Sequence, residues 1–103
     1  MKTLGDAYRP IHPGELIKDE LDARGLQQKQ VARELSLSYP AFNEILNGKR
    51  PVTTDFALYM EAAFDIPAYL LVNMQADYNL YKAKEDADVK KRLSEIRKIA
   101  AVF

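Results

Sequence analysis

The chain has 103 residues, 48% of them apolar, which suits one domain with a compact core. It has no cysteine, which excludes disulfides, thiol nucleophiles and cysteine-based zinc sites. Fifteen basic and fifteen acidic residues cancel, so net charge argues mildly against a nucleic-acid binder, whose affinity comes largely from phosphate neutralisation.

Residues 1–10, "MKTLGDAYRP", are expected to form an N-terminal arm; they hold no apolar run of signal-peptide length. No later stretch approaches the roughly 20 apolar residues of a membrane span, so a cytoplasmic protein without membrane association is expected. Strict apolar/polar alternation is lacking and helical spacing recurs, which predicts an all-α fold of five or six helices. Pro13 opens a first helix running to about residue 24 and stopping at Gly25, with Leu16, Ile17 and Leu21 inward. A second over about 28–35 buries Val31, Ala32 and Leu35. The "SLS" at 36–38 leaves only about three residues before the next helix, so the second and third must meet steeply, in helix-turn-helix geometry.

The third helix, over 39–47, splits cleanly at 100° per residue. Ala41, Phe42, Ile45 and Leu46 fall on one side, and Tyr39, Pro40, Asn43, Glu44 and Asn47 on the other. In a helix-turn-helix the outward side is the one that enters the major groove. Asn43 has the amide needed for a bidentate contact to adenine, Tyr39 and Pro40 suit a thymine methyl, and Glu44 can accept from cytosine or repel a misplaced phosphate. The alternative for each is a solvated helix face. Asn47-Gly48 is a helix stop whose glycine can turn left-handed and aim backbone N–H groups at a phosphate; Lys49 and Arg50 follow it. Gln28, at the start of the second helix, is placed for a further phosphate contact, whereas Lys49 and Arg50 can also simply offset the dipole of the third helix.

A fourth helix, capped at Thr53 or Thr54, is expected to bury Phe56, Ala57, Met60, Ala63 and Phe64. Pro67 begins a fifth, with Leu70, Leu71, Met74, Tyr78 and Tyr81 inward, which ends near residue 84. Residues 11–84 thus make the helix-turn-helix domain and 85–103 a C-terminal helix. In the latter Val89, Leu93, Ile96, Ala100 and Phe103 form a narrow seam of coiled-coil period, under three heptads long. That seam packs either on its own domain or on a second copy or partner.

His12 and Glu15 have a His-x-x-Glu spacing, but two ligands close no metal site, and the chain has no second histidine. His12 is expected to be structural, at the start of the first helix. The carboxylates of Asp19-Glu20-Asp22 and Glu85-Asp86-Asp88 suit solvated faces, and no glycine-rich phosphate loop is present. No catalytic activity, cofactor, metal or small-molecule substrate is expected.

The run "LQQKQVARELSLSYPAFNEILNGKR" resembles the Cro/phage-repressor type of helix-turn-helix, with Ala32 as the small residue at the helix crossing. "IHPGELIKDELDARGL" at 11–26 resembles the N-terminal signature of the HigA family of antitoxins, and "NMQADYNLYKAK" at 73–84 is similar to that family's segment after the fourth helix. The resemblance implies a lambda-repressor-like fold and an antitoxin that binds a RelE-like ribonuclease toxin and, as a homodimer, represses its own operon at operator DNA. It places Tyr39, Pro40, Asn43 and Glu44 at base-reading positions, and Gln28, Ser38, Asn47, Lys49 and Arg50 at phosphate contacts. Ser36 stands where the family's turn usually has glycine. Pro40 disfavours a helical Tyr39, so the third helix is expected to begin at Pro40 with Tyr39 or Ser38 as its cap. Two other readings remain: a toxin-sequestering interaction module with weak DNA binding, and a stand-alone transcriptional repressor.

Overall fold

The computed structural model describes residues 9–103, so most of the expected N-terminal arm lies outside the described residues. Six helices follow in chain order, with no strand among the described residues: α1 (Pro13–Ala23), α2 (Gln28–Glu34), α3 (Tyr39–Leu46), α4 (Thr54–Phe64), α5 (Ala68–Glu85) and α6 (Ala87–Ala100). The starts of α1, α3, α4 and α6 carry side-chain caps that satisfy N–H groups otherwise left open in a first helical turn. The His12 ring caps α1, Ser38 caps α3, Thr53 caps α4 and Asp86 caps α6. The start of α5 is tied differently: the Ala68 N–H donates to the Glu61 carboxylate at 2.7 Å, which pins α5 to α4.

Helix α3 begins one residue earlier than expected. Tyr39 is its first residue, and Pro40 sits in the first turn, where the missing N–H costs nothing and the fixed φ suits the helix. Ser38 accepts from the Ala41 N–H and supplies the cap.

One core holds the helices together. Ile17 and Leu21 of α1, Val31 and Ala32 of α2, and Phe42, Ile45 and Leu46 of α3 meet Phe56, Ala57, Met60 and Phe64 of α4 and Leu71 of α5. Phe42 and Phe56 pack ring to ring with centroids 6.0 Å apart. Leu16 and Leu35 are partly buried at its edge. Two expected core residues are exposed, Ala63 and Leu70. Both fit the apolar spacing of their helices, but no described element covers them. Conversely, Gln75 is buried: its Oε1 accepts the Val52 N–H at 2.8 Å, and its Nε2 donates to Asn79. It thereby satisfies a loop amide that no helix serves.

The seam of α6 is not buried in its own chain. No residue of α6 is buried; Val89 and Leu93 are half-buried, whereas Ile96 and Ile99 are exposed and Phe103, beyond the helix, is 99% exposed.

Two backbone features fix how α1, α2 and α3 meet. Gly14, in the first turn of α1, lies so close to α3 that an added Cβ would overlap the Ile45 carbonyl oxygen. Ser36, in the turn between α2 and α3, has φ +56°, a left-handed conformation that strains any residue with a Cβ. Gly14→Ala should therefore push α1 off α3 and cost roughly 3 kcal/mol or more, read by urea denaturation. Ser36→Gly relieves the strain and should add about 1 kcal/mol, raising Tm by roughly 4–8 °C in differential scanning calorimetry.

Candidate nucleic-acid interface

The outward edge of α3 is held in place from below. Phe42, Ile45 and Leu46 sink into the core, so Tyr39, Pro40, Asn43, Glu44 and Asn47 are left outside, with Asn43 and Glu44 half-buried and the others exposed. Helix α2 stands beside this edge and brings Gln28 and Lys29 to it. The helix ends in a Schellman turn: Gly48, at φ +74°, donates to the Ile45 carbonyl at 3.1 Å, and Lys49 donates to the Glu44 carbonyl at 2.8 Å. These two N–H groups are thus spent inside the chain rather than aimed at a phosphate. What the loop presents is the side chains of Lys49 and Arg50, both exposed.

The polar side chains here bond to one another. The Asn47 Nδ2 donates to the Asn43 Oδ1 at 3.1 Å, and the Asn43 Nδ2 donates to the Gln28 Oε1 at 2.9 Å. This chain of three amides fixes the Asn43 plane; since an amide has two donors and two lone pairs, one donor and one acceptor site remain for an outside partner. Glu44 accepts from Arg50 Nε at 3.1 Å and from its Nη2 at 2.9 Å. Lys29 lies 5.5 Å from the centroid of the Tyr39 ring. Every residue singled out from the sequence therefore gathers on one face, and Ser38 stands at its edge as the α3 cap. Lys29 is an addition: its signal in the sequence is its place beside Gln28, at the start of a helix that crosses α3.

The electrostatics of the face are mixed. Lys29, Lys49 and Arg50 supply cations, but Arg50 is tied to Glu44, so the face offers less positive potential than its lysines and arginine suggest. Among the described residues no group of three His, Cys, Asp or Glu side chains could hold a metal ion. No helix of the described residues is long and apolar enough to cross a membrane.

A helix-turn-helix family model matches residues 17–71, which span α1 to the start of α5. Virulence-associated protein A' of Dichelobacter nodosus is 36% identical over 86 residues, covering 82% of this chain and 74% of that protein. Among solved structures, Pseudomonas aeruginosa antitoxin HigA with the higBA promoter superposes with a TM-score of 0.73 at 34% identity, over 84% of this chain and 94% of that one. An addiction module antidote protein of the HigA family from Coxiella burnetii gives a TM-score of 0.70 at 33% identity, over 88% and 95%. The chain belongs to the helix-turn-helix family. Within that family it is a HigA-like antitoxin in sequence and shape.

Both partners of the Glu44–Arg50 pair are about half exposed, so water screens it. Glu44→Gln should shift stability by less than about 0.5 kcal/mol, and a thermal melt should move by no more than about 4 °C.

Proposed function

We propose that this protein is the antitoxin of a two-gene module: as a homodimer it binds operator DNA ahead of its own gene, represses that operon, and in the cytoplasm binds a RelE-like ribonuclease toxin. The observation that carries this reading is the outward edge of α3, where Asn43 keeps a free donor and acceptor between the flanking side chains of Gln28 and Lys49. A relative with the same fold has been solved with its promoter, which supports operator DNA as the ligand.

In this reading α3 enters the major groove. Asn43 hydrogen-bonds a base edge, Tyr39 and Pro40 contact apolar base surface, and Glu44 either accepts from a base or turns phosphate away. Gln28, Ser38, Asn47, Lys49 and Arg50 contact the sugar-phosphate backbone. Arg50 shares its charge with Glu44, which takes two of its five N–H donors and offsets part of its electrostatic gain. That feature, together with the zero net charge, favours as a second reading an interaction module that sequesters the toxin and binds DNA weakly.

A gel shift on the DNA upstream of the gene separates the two. A sequence-dependent, salt-sensitive shift at nanomolar to low-micromolar protein is expected, and its absence leaves the sequestering module. Asn43→Ala should cost about 1–3 kcal/mol on the cognate site and relax base preference, whereas Lys49→Ala should weaken all sequences alike and lower the salt slope by about one. Equal losses for both would mean that α3 does not read bases.

A further inference from the structure

His12 is 5% exposed and lies behind the DNA-facing loop rather than on it, yet it touches three separate parts of the fold. Its Nδ1 accepts the Gly14 N–H at 2.9 Å and so caps α1. The backbone of Arg50, in the loop between α3 and α4, lies close enough to the imidazole to oppose the effect of its burial. Its ring meets Tyr78 of α5 edge to face, with centroids 5.0 Å apart at 84°. The ring also backs Gly48: a Cβ built there would sit 3.6–3.9 Å from three of its carbons.

We propose that His12 is a positioning residue for the segment Asn47–Arg50, holding the loop that carries the phosphate-contacting side chains at the end of α3. This inference rests on the operator-binding reading above. The chemistry follows from the two ring nitrogens. With Nδ1 accepting from the Gly14 N–H, the ring proton of the neutral imidazole sits on Nε2. Only that neutral tautomer keeps the α1 cap. A proton added at Nδ1 would face the Gly14 N–H, donor against donor, and the α1 cap would be lost together with the seat of the ring against the loop.

The surroundings agree. Burial pushes the His12 pKa below its ordinary value, against smaller opposing effects of the Arg50 backbone and the Glu15 carboxylate. The other charged or titratable groups around the ring are Arg9 before α1, Lys18 on α1, and Tyr78 with Lys82 beside it on α5. They line or flank a recess of 420 Å³ that includes His12, Asn47 and Gly48, through which a proton can arrive. The lowered pKa means the unfolded chain takes up this proton first. The stability contributed by neutral His12 is complete above about pH 6.5 and is lost as pH falls through that value toward the folded-state pKa.

The test compares wild type, His12→Asn and His12→Ala between about pH 8 and pH 5.5, with anisotropy on the upstream duplex, thermal melts and amide exchange at Gly48 and Lys49. Asparagine is a strong N-cap, so His12→Asn should melt close to wild type, whereas His12→Ala should also lose the cap. His12→Asn should nevertheless bind DNA about tenfold more weakly, with a salt slope shallower by about one, because the loop cations are no longer held. Wild-type affinity should hold through the ordinary histidine range and fall only as pH drops through the lowered folded-state pKa of His12, and that fall should vanish in the variant. Exchange protection at Gly48 and Lys49 should drop in His12→Asn, and in wild type on acidification. The inference is overturned if the protection is unchanged in His12→Asn, or if that variant binds with wild-type affinity and pH profile. If wild type at about pH 8 binds no DNA, the operator reading fails, and the exchange result alone then decides the role of His12.

Discussion

Everything on the outward side of α3 depends on one backbone approach, the first turn of α1 against the last turn of α3. At Gly14 the two main chains come closer than any side chain permits, and that contact sets the crossing of α1 and α3. The position of α3 follows from it. Once α1 holds its C-terminal end, Phe42, Ile45 and Leu46 have one place to go, into the cluster shared with α1, α2 and α4. The polar residues between them on the helix are then forced outward together. The same corner holds His12, so the packing of the fold and the placement of the loop at Gly48–Arg50 meet in a few residues.

The outward face is more ordered than it is charged. Its amides are tied in a row from Gln28 through Asn43 to Asn47, which restricts the orientations open to Asn43 and lowers the entropy it would lose on pairing with an outside partner. Its strongest cation is paired with Glu44. A surface with fewer free charges attracts polyanions less strongly. Ser36 shows the same tolerance for local cost. A left-handed turn is kept between α2 and α3 without the glycine that would make it free of strain, and the surrounding hydrogen bonds of the turn, such as Leu37 N–H to the Ala32 carbonyl at 2.7 Å, hold it there.

Away from this face the fold is less self-contained. α6 leans on α5, and the apolar side chains it spaces at a coiled-coil period stay half-buried or exposed. A helix with no buried residue gains little from its own domain, since helices in proteins owe most of their stability to packing of an apolar face.

Much of this was legible in the sequence. Helix number, the steep α2–α3 junction and the two sides of α3 follow from local rules: capping residues, proline and glycine at helix ends, and apolar spacing that repeats with the helical turn. Those rules act within a few residues, which is why α3 and its flanking loop could be placed before any contact was known. Tertiary structure decided what depends on distant neighbours. Ala63 and Leu70 fit their stripes but are exposed because no described element lies over them, and Gln75 breaks its stripe but is buried because a loop amide at Val52 needs an acceptor. The pairing of Glu44 with Arg50, the amide row and the triple contact of His12 are of the same kind. A period tells which side of a helix is apolar, but only the packed chain tells what stands opposite.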